Sequence, residues 1–176
     1  MKGKIDYSQV EQIAYEQLRC KTLGIHSWDH TQRVVEFAKK AAKELCPEFI
    51  DDVVIAAYFH DVGRADDHSG NMHALESEGI AEEVIPKYWP DADLKSILFA
   101  IRHHPDLVGE NGGDPVVGNY KLPPGVKPEI AMCLWDADRL DLPRVLPEDE
   151  IIWDYLHSDF ARSFAGSVEH IKMYCF

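Results

Sequence analysis

The chain has 176 residues, enough for one domain with a real core, and its 45% hydrophobic and 28% charged content is that of an ordinary globular protein. A net charge of −13 without any lysine or arginine stripe argues against a nucleic-acid polymer or an anionic membrane as partner. A small anionic substrate stays compatible with it, because bound dications and a few arginines reverse the field locally.

Cys20, Cys46, Cys133 and Cys175 are scattered without a CxxC pair and read as reduced core residues of a cytoplasmic protein. The N-terminal MKGKIDYSQVEQIAY lacks an apolar signal core, and no segment could span a bilayer. Ser8 and Glu11 make a capping box that predicts a first helix to about Cys20. A second is expected from about Asp29 to Leu45, stopping before Pro47. A third covers roughly Glu48 to Asp61, with Gly63 at its break. A fourth runs from about Asn71 to Ile85, stopped by Pro86, and a fifth from near Asp91 to before Pro105. Between Pro105 and Lys127 lies GENGGDPVVGNYKLPPG, too irregular for a helix; so long a loop is usually functional or mobile, a short hairpin being the plainer alternative. Pro128 opens a sixth helix through Ala137. Pro147, followed by Glu148, Asp149 and Glu150, opens a seventh with acids at its positive end, and the tail from Arg162 reads as a last helix. No repeat or composition shift marks a second domain, so an all-α bundle in a single domain over residues 1–176 is expected.

The helical period sorts the polar residues. His30 lines up with Val34, Phe37, Ala41 and Leu45 and points inward, whereas His26 precedes the helix. His60 lies over Val53, Ala56 and Ala57, at the end of the apolar run VVIAAYFHDVGR, with Asp61 beside it. Asp138 continues the stripe of Ala131 and Leu134, while Asp136 lies with Met132 and Glu129. Each residue alone has a plain structural explanation, but three helices each aiming a metal-competent residue at an apolar face point to a cation, which buried carboxylates require. Imidazole and carboxylate without thiolate suit divalent zinc, manganese, iron, cobalt or nickel. His73 aligns with Ile80 and Val84, and His104 with Ile97 and Ile101, while His103 is turned away. His73 and His104 are candidates for a second ion or for substrate contact, and His68 for the latter. His157 and His170 read as surface or interface residues. Trp153, Tyr155 and Phe160 suit either a core or a dimer face, leaving monomer and homodimer both open.

HTQRV with His30, FHDVGR with His60 and Asp61, HALESEGIA with His73, AIRHHP with His104 and DADRLD with Asp138 together resemble the HD-domain superfamily of metal-dependent phosphohydrolases. The likeness runs from about His26 to Asp141 and is closest to the small stand-alone members. It implies an all-α fold with a metal held between helices by His30, His60, Asp61 and Asp138, and one ion or two if His73 and His104 take part. It also implies a small phosphorylated substrate or nucleotide, hydrolysed by metal-activated water that Asp61 orients or deprotonates. Pro143 breaks the helix after DADRLD early, which puts the substrate-facing wall in doubt. The chain lacks the long end helices of the nucleotide triphosphohydrolase branch and the GYP signature of cyclic-dinucleotide phosphodiesterases. Arg64 and Arg139 are candidates for stabilising phosphate charge, with surface ion pairs as the plain alternative; Arg102 and Lys121 are weaker candidates. His104 or His68 is a candidate leaving-group acid. Two other readings share the scaffold. One is an HD-type di-iron oxygenase, using His30, His60, Asp61, His73, His104 and Asp138. The other is a non-catalytic module with a structural metal.

Overall fold

The computed structural model describes residues 5–174 apart from 69, 106–121, 148–150 and 152. Among these the regular structure is all helical: α1 Tyr7–Gln17, α2 Trp28–Leu45, α3 Ile50–Phe59, α4 Met72–Tyr88, α5 Leu94–His103, α6 Pro128–Leu140, α7 Asp159–Phe164 and α8 Val168–Lys172. Short 3-10 turns occupy Pro47–Phe49, Leu142–Arg144 and Trp153–Tyr155. The apolar run Val53–Phe59 is buried on every side, so α3 must lie at the centre, and it packs against α1, α2, α4, α5 and α6. α2 is amphipathic: Val34, Phe37, Ala38 and Ala41 are fully buried against α6 and α3. Ile55, Phe59, Ile97, Leu134 and Trp135 fill the space between them, each burial contributing about 1.5–3 kcal/mol. No described helix is long and apolar enough to cross a membrane.

Helix ends differ from the expectations in instructive ways. α1 is capped by Asp6, not Ser8: the Asp6 carboxylate accepts from the Ser8 N–H at 3.0 Å, and the helix ends at Gln17. α4 runs through Pro86 to Tyr88. Pro86 removes a bond to the carbonyl of Glu82, but both residues are exposed, where solvent can take the place of the missing donor. α6 continues to Leu140, beyond the expected stop at Ala137, and so includes Asp138. Most of the expected loop after Pro105, and Glu148 to Glu150 of the expected seventh helix, fall outside the described residues. Trp153–Tyr155 is a 3-10 turn, and the tail forms two short helices capped by Ser158 and Ser167.

His157 and His170 are not surface residues; they are 9% and 2% exposed. Asp136, on α6, is fully buried. Its carboxylate accepts from the N–H groups of His157 (2.6 Å) and Ser158 (2.9 Å), the Ser158 hydroxyl (2.6 Å) and His157 Nδ1 (3.0 Å). One buried charge thereby fastens the tail to α6. His170 Nε2 and the Tyr174 hydroxyl both donate to the carbonyl of Leu140, at 2.7 and 2.6 Å, closing the end of the same helix. Cys46 and Cys133 are buried thiols 3.7 Å apart, Cys20 is half-buried, and Cys175 lies outside the described residues.

Candidate metal centre

Five helices end or begin around one point. His30 comes from the first turn of α2, His60 caps α3 and Asp61 follows it, His73 sits in the first turn of α4, His104 caps α5, and Asp138 lies in the last turn of α6. All are buried except Asp138, whose side chain is 28% exposed.

Each histidine is fixed through Nδ1. His60 Nδ1 meets the carbonyl of Ala57 at 2.7 Å, His104 Nδ1 that of Ile101 at 2.6 Å, and His73 Nδ1 that of Gly70. His30 Nδ1 meets Asp141 Oδ2 at 2.7 Å. Carbonyl and carboxylate oxygens only accept, so each neutral imidazole carries its hydrogen on Nδ1 and presents a lone pair at Nε2. Those lone pairs face one another: His30 and His60 Nε2 are 3.3 Å apart, His73 and His104 Nε2 3.0 Å apart. Arg64 Nη2 donates into His73 Nε2 at 2.8 Å, but His30 and His60 are bare acceptors, and at that distance they need a positive charge between them. A cation with bonds of about 2.1 Å sets adjacent ligand atoms about 3 Å apart, so the spacing fits a metal.

Asp61 divides its oxygens between the two pairs. Oδ2 lies 3.7 Å from His60 Nε2 and 3.8 Å from His30 Nε2; Oδ1 lies 3.2 Å from His73 Nε2 and 3.4 Å from His104 Nε2. Oδ1 is buried with no hydrogen bond, an arrangement that disfavours itself unless a cation is bound. Asp138 Oδ1 approaches His30 Nε2 at 3.3 Å. The donor atoms of His30, His60 and Asp138, and those of His60, Asp61 and His104, form groups able to hold a metal ion, each within 4.8 Å.

Burial opposes ionisation of Asp61 and Asp138, yet the histidines around them, with Arg64 for Asp61, hold both carboxyls well below the usual carboxylate range. Burial pushes His60 and His73 down to about 4, so both are neutral and ready to ligate. Burial also opposes charge on His30, but Asp138 and Asp141 outweigh it and hold its pKa above the ordinary value.

Asp141, which sequence reasoning passed over, is fully buried and backs His30. Arg33 donates to it through Nε at 2.7 Å and Nη2 at 3.2 Å, and Arg144 Nη1 lies 3.1 Å from Oδ2. Spacing carried the signal: Asp141 follows Asp138 by one turn, and Arg33 follows His30 by one turn. Arg64, 7% exposed, donates through Nε to Asp61 Oδ2 at 3.0 Å and through Nη2 to His73 Nε2 at 2.8 Å. Gly63 lets α4 lie against this turn. A Cβ there would sit 2.6 Å from the Glu76 carbonyl carbon, and its N–H donates to Ser77 Oγ at 2.9 Å.

Other sequence candidates are placed apart. Arg102 is exposed and paired with Glu78 at 2.9 Å, because two residues turn it to the far side of α5 from His104. His68 is exposed in the turn after the motif, and Lys121 lies outside the described residues. Arg139 is half-buried beside Asp138. His26, half-buried near His30, gives its Nδ1 to Asp67 at 3.1 Å, within a loop that Asp67 fastens through the N–H groups of Gly24, Ile25 and His26.

A family model described as the HD domain matches residues 27–142, a stretch that includes every residue of the buried cluster. No curated protein and no solved structure matches the chain significantly.

Proposed function

The chain belongs to the HD-domain family, and from that premise and the facing donor atoms we propose that it is a metal-dependent phosphohydrolase acting on a phosphate ester or nucleotide. His30, His60, Asp61 and Asp138 hold one divalent ion, with manganese, iron, cobalt, nickel and zinc all suited to nitrogen and oxygen donors. When bound, the ion supplies Lewis acidity and a water of lowered pKa. The observation that carries this reading is the bare Nε2 pair of His30 and His60, 3.3 Å apart, with Asp138 Oδ1 3.3 Å from His30 Nε2.

Asp61 has the second role of orienting the water or taking its proton through Oδ1. Arg64 provides guanidinium charge beside Asp61, and Arg139, next to Asp138 in the chain, is the candidate for a second contact to a phosphoryl oxygen. His104 is the candidate proton carrier to the leaving group: with Nδ1 locked on the Ile101 carbonyl, its Nε2 lone pair takes a proton from water and passes it on. The partly exposed side chain of Asp138 supports an open site with substrate access over a closed structural one.

The position of Asp61 Oδ1 between His73 and His104 favours one second reading, a two-ion centre of the oxygenase type. A panel of phosphate esters and nucleotides, run with each metal both without and with oxygen, decides between them. Phosphate release that Asp138→Ala abolishes is expected; two irons with oxygen consumption and no phosphate release would sink the hydrolase reading.

A further inference from the structure

The outer half of the centre already contains a cation. Arg64 is buried, and its guanidinium spans Asp61 Oδ2 and His73 Nε2, at 3.0 and 2.8 Å. We propose that Arg64 stands in the place of a second metal ion, so that the centre takes a single ion per chain. This rests on the reading that His30, His60, Asp61 and Asp138 hold that ion.

His73 Nδ1 is committed to the Gly70 carbonyl, so Nε2 is the only lone pair of that ring available to a metal. Arg64 Nη2 donates into it. His73 therefore cannot ligate without first losing the arginine. Guanidinium groups do not deprotonate in proteins, so Arg64 cannot yield by shedding its charge as a lysine can. A dication beside it would meet a fixed positive group at close range, in a site too buried for solvent to screen the repulsion.

Local backbone structure also keeps Arg64 in place. Its N–H donates to the Asp61 carbonyl at 3.0 Å, and the preceding Gly63 is pinned to Ser77. Swinging the guanidinium out would strand a buried carboxylate oxygen and a buried imidazole nitrogen. The arrangement thus fills the second ion's role with a charge that needs no loading from solution. His104, whose Nε2 is 3.0 Å from that of His73, is left for substrate or a proton.

Manganese(II) bound per chain, measured by equilibrium dialysis and elemental analysis with electron paramagnetic resonance, tests the proposal. Wild type is expected to bind one ion with an uncoupled signal, and Arg64→Met to bind two with a spin-coupled signal. His73→Ala is expected to keep one ion at unchanged affinity. Two ions in wild type, or one ion in a folded Arg64→Met, would overturn the proposal while leaving the hydrolase centre intact. No ion in wild type would instead sink the centre itself. If Arg64→Met does not fold, His73→Ala carries the test: loss of bound metal in that variant overturns the role given to Arg64.

Discussion

Each half of the cluster sets two histidines against Asp61, and the two are backed in different ways. In the inner half, His30 leans on a carboxylate, Asp141, which Arg33 and Arg144 hold in turn. In the outer half, His73 and His104 lean only on main-chain carbonyls, and a guanidinium lies among them. A carboxylate behind an imidazole raises its basicity as well as fixing its tautomer, whereas a carbonyl chiefly fixes the tautomer. The inner half is thus equipped to attract an ion, and the outer half to orient groups around one. Asp61 belongs to both, one oxygen to each.

Asp61→Ala breaks the comparison most severely, because it removes the shared residue and leaves Arg64 buried without its carboxylate. Metal binding and phosphate release should vanish while the circular-dichroism helix signal stays largely intact; full activity in that variant would falsify the metal assignment. Gly63→Ala acts next, pushing α4 and His73 away from the motif turn. A destabilisation of about 3 kcal/mol is expected from overpacking against rigid backbone, read as a lowered urea midpoint. An unshifted midpoint would mean that α4 yields freely.

Asp141→Asn sharpens the comparison by weakening only the inner backing. Metal affinity should fall about 10–100-fold, the usual effect of losing a residue that orients a ligand. His104→Ala should lower turnover with affinity little changed. Equal loss of affinity in both variants would erase the distinction between the halves.

The smallest effect is on pH dependence, in protein stripped of metal by a chelator. Unfolded histidines take up protons near 6.5, but folded His60 and His73 do so only near 4, so stability should fall as pH drops between those values. His30 acts in the opposite sense: its contribution is complete below 6.5 and is lost as pH rises through its raised value. Urea midpoints across this range should therefore peak near neutrality; a flat profile would show that the imidazoles titrate normally.

The inward faces of His30 and His104 were legible because α2 and α5 carry a strong apolar period, and His60 because it closes a run that is apolar on every side. Support for them was not, since whether Asp141 meets His30 depends on how far α6 runs before it ends. Asp136 shows the limit of periodicity more sharply. It lies away from the Asp138 stripe, as the spacing predicts, yet that side of α6 is also buried, by a tail some twenty residues later in the chain. A local pattern cannot reveal a face covered from so far along. His157 and His170 were misread for the same reason, and Pro86 because the cost of a missing N–H depends on whether water reaches the orphaned carbonyl.

The double capping of the Leu140 carbonyl by His170 and Tyr174 ties metal retention to the docking of a distant segment. A chain that stops before His170 contains every proposed metal donor, but nothing from the tail closes the helix end next to Asp141. Such a chain should form its bundle and still hold metal poorly, so that ion uptake reports docking of the tail on α6. Comparing metal retention before and after controlled C-terminal trimming would expose that dependence, and retention indifferent to trimming would remove it.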